Sequence, residues 1–97
     1  MSVSFNQKLT VTQDTLINLI EGESVLLNLK SESYFGLDPI GTRMWTLLTT
    51  SNSIQAAYES LLNEYDVSAD TLLQDMRDLI EKLLANNLVE VAGEQAA

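Results

Sequence analysis

Neither histidine nor cysteine occurs in this sequence, and that removes the side chains behind most enzyme chemistry. Acid–base catalysis near neutral pH usually rests on imidazole, or on carboxylates whose pKa values burial has driven apart. The fourteen Asp and Glu residues fall mostly where turns and exposed helix faces place them, and no serine has a base beside it in the pattern. Thiol and disulfide chemistry need cysteine. Metal sites of the His or Cys type are likewise ruled out, and no spacing matches a calcium-binding loop. The expectation is a chain that binds without catalysing, with no metal and no cofactor.

What it binds is constrained by charge. Fourteen acidic residues against five basic ones leave a net charge of −9. Lys8, Lys30, Arg43, Arg77 and Lys82 are scattered along the chain. Nucleic acids are held chiefly by clustered Lys and Arg that release counterions from phosphates. Most of this surface would repel them. Membrane spanning is equally unsupported, because no run approaches the ~20 apolar residues required. Met1 to Lys8 lacks the apolar core of a secretory signal, so a cytoplasmic location is expected.

The elements that would carry a binding site follow from periodicity. At 97 residues with a hydrophobic fraction of 45%, the chain has the size of one domain with a real but modest core. Residues 1–14 are read as an N-terminal extension or short strand, 15–91 as the domain, and 92–97 as a disordered tail. Thr15–Ile20 and Val25–Lys30 are β-type runs around a Gly-containing turn, which predicts a hairpin. Val25, Leu27 and Leu29 alternate with Leu26, Asn28 and Lys30, which predicts one buried face. After a turn at Ser31-Glu32-Ser33, Tyr34–Leu37 reads as a third short strand.

Asp38-Pro39 marks the change to helix, Asp as N-cap and Pro in the first turn. Ile40, Met44, Leu47 and Leu48 then recur at helical spacing. Gly41 costs this helix roughly 1 kcal/mol relative to Ala, which suggests a close approach of the sheet. Ser53 caps a second helix with the stripe Ile54, Ala57, Tyr58, Leu61, Leu62 and Tyr65. Ser68 caps a third that runs to about Asn86, with Asn87 suited to a left-handed C-terminal turn. Its apolar set is broad: Leu73, Met76, Ile80 and Leu84 on one side, Leu72, Leu79 and Leu83 on an adjacent one. The predicted order is β-β-β-α-α-α, an α+β fold with a three-stranded antiparallel sheet followed by three helices. Helices two and three have a helix-turn-helix outline, so the whole reads as a winged-helix variant.

The run Tyr34-Phe35-Gly36-Leu37-Asp38-Pro39-Ile40-Gly41-Thr42-Arg43-Met44-Trp45 resembles the family of the pyrroloquinoline quinone biosynthesis protein D, also called RiPP recognition elements. Ser53 and the Asp75-Met76 through Leu79-Ile80 segment extend the resemblance, which covers roughly residues 16–91. Within the family the chain looks closest to the stand-alone leader-binding proteins of lasso-peptide pathways. Asp38 stands where Asn is common and Asn87 where Gly is common. Both replacements suit the same cap geometry.

The resemblance implies that the leader of a ribosomally made precursor peptide adds as a strand beside Tyr34–Leu37, in a groove walled by the third helix. Elementary physics agrees, since a sheet edge offers unpaired backbone groups that an extended peptide can satisfy. The implied peptide-binding residues are Glu32, Ser33, Tyr34, Phe35, Gly36, Leu72, Asp75, Met76, Leu79 and Leu83. Against this stands a plainer reading. Either Tyr34 or Phe35 is core and the other an exposed aromatic, Leu72, Leu79 and Leu83 pack on the first helix, and Asp75 is solvated. The implied protein partners are a leader peptidase and a cyclase, with the chain a monomer or weak dimer. Two alternatives remain: presenting a peptide to a radical enzyme in cofactor or other peptide biosynthesis, and a winged-helix transcription regulator. The acidic third helix counts against the regulator.

Overall fold

The computed structural model describes residues 4–92. Of the expected disordered tail, 93–97 lie outside the described residues, and Ala92 closes the last strand. In chain order the elements are β1 (Lys8–Val11), β2 (Thr15–Ile20), β3 (Glu23–Asn28), β4 (Ser33–Leu37), α1 (Pro39–Thr50), α2 (Ile54–Glu64), α3 (Ala69–Ala85) and β5 (Val89–Ala92). The expected trio of antiparallel strands followed by three helices is present, with β2-β3-β4 as the sheet order. A second, two-stranded sheet pairs β1 with β5 antiparallel, Leu9 opposite Val91. That pairing joins the two ends of the domain.

Local chemistry explains each boundary. Glu21 and Gly22 both adopt positive φ, 51° and 85°, between the paired residues Ile20 and Glu23. This matches the two-residue primed turn, whose twist suits flanking strands. Asp38, Ser53 and Ser68 cap the three helices through their side chains, accepting from the backbone N–H groups of Gly41, Ala56 and Thr71. At the end of α3, Asn87 takes φ 57°. Its N–H donates to the Leu84 carbonyl and that of Leu88 to the Leu83 carbonyl. Those two bonds are the Schellman arrangement, and Leu88 and Leu83, both buried, supply its apolar contact. Arg43 on α1 grips Glu64 at the end of α2 with two side-chain bonds, Nε to Oε1 at 2.9 Å and Nη2 to Oε2 at 2.6 Å. The guanidinium's hydrogen bonds hold the Glu64 carboxyl below the usual carboxylate range.

The core lies between the sheet and the helices. Leu26, Leu37, Met44, Trp45, Leu48, Ile54, Leu61, Met76 and Leu83 are among its members. On β3 the alternation is as expected, and the buried face is that of Ser24, Leu26 and Asn28, with Val25 exposed. Polar side chains are tolerated there because each is satisfied. The Ser24 hydroxyl meets that of Thr42 at 2.8 Å, and Thr42 donates to the Leu37 carbonyl. Asn28 donates to the Asn87 carbonyl and accepts from the N–H groups of Lys30 and Ser31. One buried amide thus ties the β3–β4 turn to the end of α3.

The N-terminal segment also does more than the sequence suggested. The carbonyls of Gln7 and Phe5 accept from the first amides of α2, Ile54 and Gln55, at 2.8 and 2.7 Å. These are the donors that a helix start leaves without intrahelical partners. Phe5 packs edge-on against Tyr58, and the Arg77 guanidinium lies 5.7 Å above its ring. No described helix is long and apolar enough to cross a membrane.

Candidate functional site

β4 is an edge strand. It pairs with β3 on one side, from Ser33 opposite Asn28 to Leu37 opposite Ser24, and no described strand pairs with its outer side. Of the described N-terminal residues, Lys8–Val11 pair instead with β5, so that strand does not cover this edge. Five residues at ~3.4 Å each give roughly 17 Å of open backbone. β2 offers the other edge of the sheet, but its side chains are almost all exposed and no residue of α2 or α3 lines the hollows beside it.

Alongside β4 runs a cleft of about 540 Å³, lined by residues of β4, the start of α1 and α3. Its apolar lining comes from Phe35, Leu37, Ile40, Met44 and Leu79, and its charged lining from Asp38, Asp75, Asp78 and Lys82. The cleft is held in shape from beneath. Asp38 caps α1 by accepting from the Gly41 N–H at 2.7 Å, and Thr42 binds the carbonyl at the end of β4. A Cβ on Gly41 would sit 3.2 Å from both Asp38 Oδ1 and Leu37 Cδ2. Glycine therefore lets α1 start hard against the strand, as its cost to the helix suggested.

The ten sequence-predicted residues divide four ways. Phe35, Gly36, Asp75 and Leu79 line the cleft. Leu72, Met76 and Leu83 are buried at 3%, 0% and 0% exposure and support α3 from the core. Leu79 is itself only 9% exposed, so the α3 wall presents carboxylates above a narrow apolar base. It is not the broad greasy surface expected. Glu32 and Ser33 lie at the entry to β4, Glu32 in a turn with φ 58°. Tyr34, 76% exposed, points to the opposite face of the sheet, where it borders a hollow with Leu16, Ile17, Asn18, Val25 and Leu27.

Sequence reasoning passed over Asp78 and Lys82 as cleft residues, and Ile40 and Met44 as more than core. The i, i+3, i+4 and i+7 spacing of Asp75, Asp78, Leu79 and Lys82 was the available signal, since those positions share a helix face. None of Asp75, Asp78 and Lys82 forms an ion pair among the described residues; the pair found there is Arg43–Glu64. Asp78 accepts from Gln74. Among the described residues, no group of three or more Asp or Glu side chains is placed to hold a metal ion.

The family described as coenzyme PQQ synthesis protein D (PqqD) matches residues 23–89. The chain belongs to that family. A solved structure described as TbiB1 in complex with the TbiA(beta) leader peptide is similar throughout, with a TM-score of 0.76 and 30% sequence identity. The alignment covers 89% of this chain and 98% of that one. Curated proteins gave no significant match.

Proposed function

We propose that this protein binds the leader segment of a ribosomally made precursor peptide as an added strand along β4, in the cleft against α3, and presents it to processing enzymes. The observation that carries this reading is the unpaired outer edge of β4 beside a helix-backed cleft. Membership of the PqqD family, and likeness to a protein solved with a leader peptide, support it. Backbone hydrogen bonds along the edge would supply affinity, and the cleft side chains selectivity. In this reading the chain does no chemistry itself. It acts in the cytoplasm, and a leader peptidase and a cyclase of a lasso-peptide pathway are the partners. The family's description favours a second reading for the same site, presentation of a peptide to a radical enzyme during cofactor synthesis. The similarity to TbiB1 over nearly its whole length favours the first.

Fluorescence polarisation tests it with a labelled leader of the cognate precursor, and a scrambled leader of equal composition. Saturable binding of the leader alone is the expected outcome. Equal affinity for both peptides would overturn the proposal.

A further inference from the structure

Four charged side chains line the cleft, and three of them are carboxylates: Asp38, Asp75 and Asp78 against Lys82. The lining beneath is apolar, from Phe35, Leu37, Ile40, Met44 and Leu79. The Asp75 carboxylate has no hydrogen-bond or ion-pair partner among the described residues, whereas that of Asp38 is committed to the α1 cap and that of Asp78 to Gln74. An incoming strand alternates its side chains between faces. Residues two apart would therefore meet the cleft together, while those between face the other side of the sheet.

Resting on the leader-binding reading, we propose that the cleft selects peptides in which a bulky apolar residue is flanked, at same-face spacing, by Lys or Arg. The apolar side chain seats on the Phe35–Met44–Leu79 lining, and the cation meets Asp75 and Asp78 along the rim. An acidic residue at that position would face two carboxylates, and like-charge juxtaposition is a strong means of rejecting wrong partners. The net charge of −9 adds a long-range field that draws a basic segment toward the protein. Because the rim is exposed to solvent, each contact is modest. Loss of one is expected to weaken binding about three- to fivefold.

The test is selection of binders from a random peptide library displayed on phage, using the full chain as bait. Binding of the selected peptides to Asp75→Asn/Asp78→Asn and Asp75→Lys/Asp78→Lys variants is then measured. Both pairs are exposed positions, and circular dichroism checks that the variants stay folded. The expected result is enrichment of an apolar residue with neighbouring Lys or Arg. Affinity should fall about tenfold in the Asn variant, with a preference for acidic peptides in the Lys variant. Peptides that shift the NMR signals of residues 33–37 but show no basic enrichment, with unchanged affinity for the Asn variant, would overturn the charge selection and leave the site reading standing. Peptides that shift only signals away from β4 and α3 would overturn the site reading itself.

Discussion

Gly36 separates a structural from a functional account of β4 more sharply than its aromatic neighbours do. A Cβ added there meets nothing within 4 Å, and the residue does not need the positive φ that Gly22 adopts. Glycine weakens a strand interior, so one that the fold does not require often marks close approach by a ligand or another backbone. Gly36 borders both the cleft beside α3 and a second hollow lined by Asn18, Ile20, Glu23 and Val25. Gly36→Val should therefore leave the free protein as stable or raise its stability by up to about 1 kcal/mol. The same change should weaken leader binding about fivefold or more, the equivalent of one lost contact. Thermal unfolding and polarisation titrations read the two effects separately. A variant that binds as the parent does would show that the space over Gly36 is idle.

At the scale of elements, the helices were legible because their signals are local. Asp38, Ser53 and Ser68 each cap the helix they were expected to cap, and Asn87 takes the left-handed turn assigned to it. The hairpin was legible for the same reason, through its Gly-containing turn, although the turn is only Glu21-Gly22 and β3 runs Glu23–Asn28 where Val25–Lys30 was expected. What escaped depends on partners far away in sequence. β1 and β5 are four residues each, and their pairing joins Lys8 to Ala92, which no local pattern encodes. The face that β3 buries carries Ser24 and Asn28, and it becomes acceptable in the core only because Thr42 and Asn87 satisfy them. The site suffered likewise. Tyr34–Leu37 was visible as a strand, but which apolar residues of α3 would be spent in the core depended on how the helix is rolled against α2 and the core. That orientation sinks Leu72, Met76 and Leu83 and leaves Asp75 and Asp78 on the rim.

As a whole molecule, the protein presents two unlike surfaces. One is the β4–α3 cleft. The other is the β2–β3 hairpin, where Leu16, Ile17, Leu19, Ile20 and Val25 are exposed and Glu21 and Glu23 mark the tip. Clustered apolar side chains in water point to a protein partner. A second copy would bring its own charge of −9, which opposes self-association, so under the proposed function this face is the one to test for contact with a processing enzyme. Leu16→Ser/Leu19→Ser, at exposed positions where surface substitutions shift stability by about 0.5 kcal/mol or less, should leave leader affinity intact. If the proposed delivery to a leader peptidase holds, the change should slow leader removal when the two are assayed together; an unchanged cleavage rate would place the contact elsewhere. Neither surface matters unless a peptide lies along β4. An NMR titration of the full chain with its cognate leader tests that most directly. The largest shifts should fall on residues 32–37 and along 72–83, with slowed amide exchange on β4. Shifts confined to β2 or to α2, with β4 unmoved, would contradict the account.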